Sequence, residues 1–424
     1  MPTPAETARA LSARGKGILA SDESVLTIGK RLEKAGLAND EPTRRQYRDV
    51  YYNPRRPARP GGGGNGDGGA AGLGPAGISG AIVYSEALGQ ACCCPGPPEL
   101  SFVDGLKHQG VLVGVKVDAG LEPLAGGGPV LPGETQTRGL AELPGVVRDA
   151  AARGAAFAKF RCALRMSGPL AGPSDQAVDV NARQLAEYAA VCLAGGGGDA
   201  GPSSALCPIV EPELLIDGAH GAAAFETASA RVISATVAAL WRQPGMSLDA
   251  LLLKPQMVCP GSEWRSSATG GPSGPAGVSS DEVAARTLRV MRGTVPPAVP
   301  GIMFLSGGQT ERQATENLDA LNVLAQQGGA AGGAPWALSF SFGRGLQASV
   351  LKTWAEAGGG RAEATEEQRE AAARAARRVA VALAEANGLA AKGEWRASGR
   401  AHPSVLQEDG TGGGGLHETF RGHY

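Results

Sequence analysis

Residues 155–161 read AAFAKFR. Five of the seven are apolar, as in a buried strand, yet Lys159 and Arg161 stand two positions apart near its end. Side chains of a strand alternate between faces, so these two cations share one face. The same spacing returns as Lys116/Asp118 in VLVGVKVD (111–118) and as Glu211/Glu213 around LCPIVEP (206–212). Three strands that each end in paired charges on one face describe a common mouth better than three separate solvated rims.

Outward from these segments, short β-rich runs recur at GILAS (17–21), ISGAIVY (78–84), LDALLLKP (248–255), GIMFLSGG (301–308) and WALSFSFG (336–343). Helical patterns such as TRRQYRDVYY, DQAVDVNARQLAEYAAVCLA and ERQATENLDALNVLAQQ lie between them. Strand then helix, eight times, with strands nearly apolar throughout, predicts an α/β protein built as a single (β/α)₈ TIM barrel. A doubly wound open sheet is the rival, but it would carry a glycine-rich nucleotide turn after its first strand, where this chain has SDES. Asp22 follows the first run, Lys254 lies in the sixth, Ser306 in the seventh, and Arg344 follows the eighth. A barrel collects such residues at the C-terminal mouth, where active sites are built. There Lys116, Lys159, Arg161, Lys254 and Arg344 balance Asp22, Asp118, Glu211 and Glu213, the condition under which buried charges are tolerable.

The bulk numbers exclude other classes. With 424 residues, 40 basic against 41 acidic, the chain has no global field to draw it to nucleic acid or membrane. Many of the 65 glycines sit in runs (61–64, 195–198, 358–360, 412–415), expected as flexible surface insertions. Seven cysteines, three of them adjacent at 92–94 and none in CxxC spacing, point to a reducing compartment. Cys162, Cys207 and Cys259 read as small core hydrophobes, and His108 and His220 as ordinary loop or helix-end residues. No HxH or HExxH occurs, so no metal is expected. Absence of a signal-like apolar core and of a run of roughly 18 apolar residues predicts a soluble protein.

The chemistry centres on LLLKPQMVCP (251–260). Desolvation and a cationic neighbour such as Lys159 would lower the pKa of Lys254 and free its amine to attack a carbonyl. The resulting iminium is an electron sink. Glu211 and Glu213 would form a carboxylate pair with divergent pKa values, one working as acid or base. Ser306, Gly307 and Gly308 offer a hydroxyl and N–H groups at a helix start, which with Arg344 suit a phosphate. Lys116, Ser24 and Thr27 across the mouth would hold a second one. Two anion sites flanking a Schiff-base lysine suggest a sugar bisphosphate.

The segments GKGILASDES, GKRLEKAGLANDEPTRRQYR, GVKVDAGLEPLAG, AKFRCALRM, CPIVEPELLIDGAHG, LLLKPQMVCPGSE, MRGTVPPAVPGIMFLSGGQTERQATENLDALN and WALSFSFGRGLQASVLKTW, in this order, strongly resemble class I fructose-bisphosphate aldolase over roughly residues 10–356. The resemblance implies a lyase that cleaves fructose 1,6-bisphosphate reversibly to dihydroxyacetone phosphate and glyceraldehyde 3-phosphate, without metal or cofactor. Lys254 would form the imine, Glu211 serve as general acid/base, Asp22 act around the C4 hydroxyl, Lys159 support carbinolamine formation, and Glu213 tune Lys254 and Glu211. Ser306, Gly307 and Arg344 would bind the C1 phosphate, with Ser341 and Gly343 as further substrate positions. Lys116, Ser24, Thr27 and Arg31, assisted by Arg161, would contact the C6 end. Tyr424, ending the chain in FRGHY, would assist proton exchange at the enamine carbon.

Four residues depart from the family pattern: Ala119 replaces the lysine usual after KVD, Phe160 a tryptophan, Gln256 the asparagine of LLKPNM, and Phe342 a tyrosine. None removes a proposed acid, base or nucleophile. Expected organisation is a catalytic barrel over 1–395 with a Gly/Pro-rich insertion at 53–77, then a flexible tail over 396–424. A cytoplasmic homotetramer is implied by the resemblance, with a plastid location as the alternative. A related aldolase for fructose 1-phosphate or sedoheptulose 1,7-bisphosphate, or a non-catalytic barrel scaffold, are the competing functions.

Overall fold

The computed structural model describes residues 2–54, 72–93, 99–125, 131–168, 171–197, 204–264, 277–327 and 333–406. In chain order the strands are β1 (Gly17–Ser21), β2 (Ile78–Val83), β3 (Leu112–Lys116), β4 (Leu121–Pro123), β5 (Thr135–Thr137), β6 (Phe157–Arg165), β7 (Cys207–Leu215), β8 (Leu252–Leu253), β9 (Gly301–Phe304) and β10 (Ala337–Phe342). All except β4 and β5 close into a parallel barrel in which β10 returns to pair with β1, and helices fill the connections. β4 and β5 form an antiparallel pair of their own between β3 and β6.

All eight apolar runs contribute a strand, with two adjustments. LDALLLKP opens as a 3₁₀ turn (Leu248–Ala250) and only Leu252–Leu253 is strand. The Lys254 amide still reaches the Val210 carbonyl at 2.8 Å, but Pro255 has no N–H to continue the ladder. Conversely, β6 and β7 stay paired past their expected ends, from Phe157↔Cys207 to Arg165↔Leu215.

Alternation along the strands sorts the side chains. Leu19, Ala158, Phe160, Val210, Leu253, Ile302 and Phe304 belong to the core between strands and helices. Ile18, Ala20, Phe157, Cys207, Ile209, Leu252 and Met303 form a separate core inside the barrel. The inward rows therefore read Phe157–Lys159–Arg161, Cys207–Ile209–Glu211–Glu213 and Leu252–Lys254: apolar at the N-terminal end, charged at the mouth. The helix Pro4–Leu11, fixed by a Thr3/Glu6 capping box, plugs the apolar end with Ala8 and Leu11. Gly80 and Gly114 lie beside the Phe157 ring inside the barrel; a Cβ on Gly114 would strike that ring, and one on Gly80 would strike Leu11.

The helix Glu366–Ala390 packs on the outside with an alanine-rich face, and buried Arg377 ties it to the Val50 carbonyl (3.2 Å) and Gln109 Oε1 (2.7 Å). Among the described residues no helix is long and apolar enough to cross a membrane.

Candidate active site

At the mouth, Lys254 is buried at the end of β8, and its Nζ lies 2.8 Å from Glu211 Oε1 on neighbouring β7. Glu211 Oε2 is 3.2 Å from Lys159 Nζ, an ion-pair distance without hydrogen-bond geometry. Lys159 continues the chain of charges to Asp22 Oδ2 at 2.7 Å and Asp118 Oδ2 at 3.8 Å. Burial of Lys159 opposes its charge, but Asp22, Glu211 and Asp118 outweigh that and hold it above the usual lysine range. Burial likewise pushes Asp22 up, while Lys159, Lys254 and Lys116 pull it down to about 2. Lys159 is thus a fixed cation and Asp22 a fixed anion. The lysine expected as the cationic neighbour of Lys254 is clasped by three carboxylates, in keeping with the balance of charges expected at the mouth.

The two glutamates do not act as the expected carboxylate pair, because each faces a different cation. Glu213 binds Arg161 Nε, although in β-register Arg161 stands opposite Glu211. Burial raises the Glu213 carboxyl, but Arg161, with Lys254 and Lys159, holds it below the usual range. Lys116 Nζ meets Asp118 Oδ1 at 2.5 Å and the Asp118 carbonyl at 2.8 Å.

Beside this network opens a small recess lined by Glu213, Leu215, Ile216, Asp217, Gln256, Gly307, Gly308 and Arg344. Burial and the nearby Arg31 and Arg161 charges push Arg344 down to about 10 against the pull of Glu213 and Asp217. Such crowding of cations marks a place for an anion. The Gly345 N–H donates to Ser306 Oγ at 3.4 Å, joining the two loops that follow β9 and β10. Ser341 Oγ is buried without a hydrogen-bond partner among the described residues, and Gly343 precedes the helix that begins at Arg344.

The residues assigned to the C6 end are less gathered. Ser24 caps the helix Val25–Lys34 through the Thr27 N–H (3.3 Å), and its hydroxyl lies 3.0 Å from Thr27 Oγ1. Arg31 pairs with Glu23 Oε1 at 2.6 Å and approaches Arg344 closely enough for their charges to repel, on the side of the recess. Tyr424 lies outside the described residues, as does most of the 53–77 insertion. The sequence reading passed over Glu23, which holds both Arg31 and Gln347 Nε2 (2.8 Å), and Asp217; SDES and the IDG after β7 were their only local signals. His220 is no ordinary loop residue: it is fully buried, stacked on Phe225 at 5.0 Å, and burial lowers it to about 4.

The sequence pattern of the family described as "Fructose-bisphosphate aldolase class-I" matches residues 4–61 and 70–408. The chain belongs to the class I fructose-bisphosphate aldolase family. It is 37% identical over 406 residues to the fructose-bisphosphate aldolase of Dictyostelium discoideum, covering 95% of this chain and 96% of that one. It is 40% identical over 357 residues to the cytosolic fructose-bisphosphate aldolase 6 of Arabidopsis thaliana, 84% of each chain. A solved structure of the Plasmodium falciparum fructose-bisphosphate aldolase, in complex with TRAP and a small-molecule inhibitor, superposes with a TM-score of 0.74 at 35% identity, covering 92% of this chain and 94% of that one.

Proposed function

We propose that this aldolase-family chain cleaves fructose 1,6-bisphosphate reversibly to dihydroxyacetone phosphate and glyceraldehyde 3-phosphate through an imine on Lys254. The observation that carries the reading is the unbroken relay Lys254–Glu211–Lys159–Asp22, with contacts of 2.8, 3.2 and 2.7 Å, on the floor of the mouth. Lys254 passes a proton to Glu211 and its lone pair attacks C2, forming the N–C bond as the C=O π bond opens onto oxygen, which takes the proton that the attacking nitrogen loses. Lys159, kept cationic by its carboxylates, stabilises that oxygen as charge develops. Glu211 protonates the departing water to leave the iminium. The C4 hydroxyl then gives its proton to the Glu211/Asp22 pair, the C3–C4 bond breaks, and its electrons enter the iminium to form the enamine. Tyr424 is our candidate for reprotonating C3, which would give the tail beyond the barrel a place in turnover.

The C1 phosphate is assigned to Ser306, Gly307, Ser341, Gly343 and Arg344. The C6 end falls to Lys116, Ser24, Thr27 and Arg161, with Arg31 shared between the ends. Because Lys116 is already paired to Asp118 and Ser24 to its helix, the distal anion site is the weaker one. That keeps fructose 1-phosphate as the competing substrate, and the ratio of kcat/KM for the two ketoses decides. Assembly as a homotetramer, which the resemblance implies, and a cytosolic location, in line with the name of the Arabidopsis thaliana relative, complete the reading. Borohydride reduction with fructose 1,6-bisphosphate is expected to attach dihydroxyacetone phosphate to the peptide bearing Lys254, and Lys254→Met to abolish both adduct and turnover. An adduct elsewhere, or none, would refute the imine.

A further inference from the structure

Gln256 stands two residues beyond Lys254, and the main chain around both is pinned. The Lys254 amide is held by Val210 at 2.8 Å, the Leu305 N–H reaches the Pro255 carbonyl at 3.1 Å, and Gln256 bridges to Leu305. The Gln256 side chain is 97% out of solvent contact, with 3% exposure, and lines the recess together with Gly307, Gly308, Glu213 and Arg344. Its Nε2 donates to the Gly307 carbonyl at 3.1 Å. This contact fixes the amide orientation, because the flipped form would set two oxygens against each other. Oε1 is thereby committed as an acceptor. It is buried, without a hydrogen-bond partner among the described residues, and so close above Gly307 that a Cβ there would collide with it.

A buried acceptor beside Gly307 does nothing for a fully ionised phosphate ester, which offers no hydrogen. It fits a ligand that brings an O–H. We propose that Gln256 is a substrate-binding residue that reads an O–H donor on the ketose phosphate lying between Lys254 and the Ser306–Gly308 loop, while its Nε2 holds the Gly307 carbonyl back so that the loop N–H groups face the recess. The inference rests on the aldolase reading. Asparagine, the residue usual at this position in the family, is one methylene shorter and brings the same two functions less far toward Gly307. The donor is either a hydroxyl of the sugar or the remaining P–OH of a monoprotonated phosphate.

The test uses the full-length protein and its Gln256→Met and Gln256→Asn variants, with KM and kcat for fructose 1,6-bisphosphate and competitive inhibition by methyl phosphate, a phosphate monoester, measured from pH 5.5 to 8. Methionine keeps the volume and loses both polar contacts. It is expected to raise KM about tenfold with kcat within about twofold, and asparagine to recover part of that loss. A sugar hydroxyl as donor leaves inhibition by the monoester unchanged in the methionine variant. A P–OH donor weakens inhibition by the monoester, and increasingly so below about pH 6, where the monoester holds its one proton. A methionine variant with unaltered KM and unaltered inhibition by the monoester overturns the proposal, and so does an asparagine variant no better than methionine. If the unsubstituted protein itself forms no borohydride adduct, the aldolase reading fails first. If it turns over normally and the methionine variant matches it, only the role of Gln256 fails.

Discussion

Lys159 and Asp22 show how a buried charge is made tolerable one residue at a time. Each is taken out of water, which disfavours its charged form, and each is restored by partners at ion-pair distance. The sign of the resulting pH dependence differs between them. Lys159, raised above its unfolded value of roughly 10.4, contributes stability that is complete below that value and lost as pH climbs through the folded one. Asp22, lowered to about 2 from roughly 3.9 in the unfolded chain, contributes stability that is complete above the unfolded value and fades as pH falls through the folded one. Asp22→Asn should therefore lower the unfolding free energy at pH 7 by about 2 kcal/mol, with the gap narrowing from pH 4 downward. Urea unfolding at pH 7, 5, 4 and 3 measures it; a gap at pH 3 as large as at neutrality contradicts the pairing. The same substitution removes a proton acceptor near C4, so kcat should fall by about a hundredfold or more.

At the scale of elements, the helices Glu311–Gln327 and Arg344–Glu356 follow the two loops assigned to phosphate, and residues 401–406 dock across them. Ser404 Oγ donates to Glu311 Oε2 at 2.8 Å, and the Val405 N–H to Ser349 Oγ at 3.0 Å. His402 Nδ1 accepts from the Ser404 N–H at 3.2 Å, and Nε2 lies 3.0 Å from Thr315 Oγ1. That pattern requires a neutral ring with its proton on Nε2. Burial pushes His402 down to about 4, with Arg312 adding to the effect and Glu316 opposing it. A depressed histidine gives stability that is complete above its unfolded value near 6.5 and lost toward the folded one. Exchange of the Ser404 and Val405 amides, corrected for intrinsic rate, should accelerate by roughly tenfold to a hundredfold between pH 7 and pH 4.5. His402→Gln should remove that pH dependence; a variant that keeps it would assign the dependence to another group. None of this docking was legible in the sequence, since His402 meets Thr315 across 87 residues and no local pattern encodes the match. The long helix Glu366–Ala390 also escaped individual notice, its buried face being mostly alanine with little periodic contrast.

Across the whole molecule, the barrel was legible because its strands declare themselves locally: all eight runs are largely apolar, and all but β2 carry a polar or charged residue at or just past the end that meets the mouth. The pairings inside the mouth were not, because they depend on how neighbouring strands slide past one another. Arg161 is registered opposite Glu211 yet takes Glu213, which leaves Glu211 for the two lysines. Burial and the nearby Arg31 and Arg161 leave the Arg344 charge incompletely offset by Glu213 and Asp217, and that has a global consequence. A phosphate that supplies the missing charge binds only the closed barrel, so at a hundred times its Kd it should add about 2.7 kcal/mol to the stability. For a chain of 424 residues that is about 3 °C in the unfolding midpoint. Arg344→Ala should abolish the phosphate-induced shift. The midpoint of the variant in chloride alone gives the baseline against which that shift is read. Thermal unfolding at one scan rate and constant ionic strength, with phosphate exchanged for chloride, separates the outcomes. A variant that loses several degrees in chloride would show Arg344 to be a structural brace; one that keeps the phosphate shift would move the anion site elsewhere.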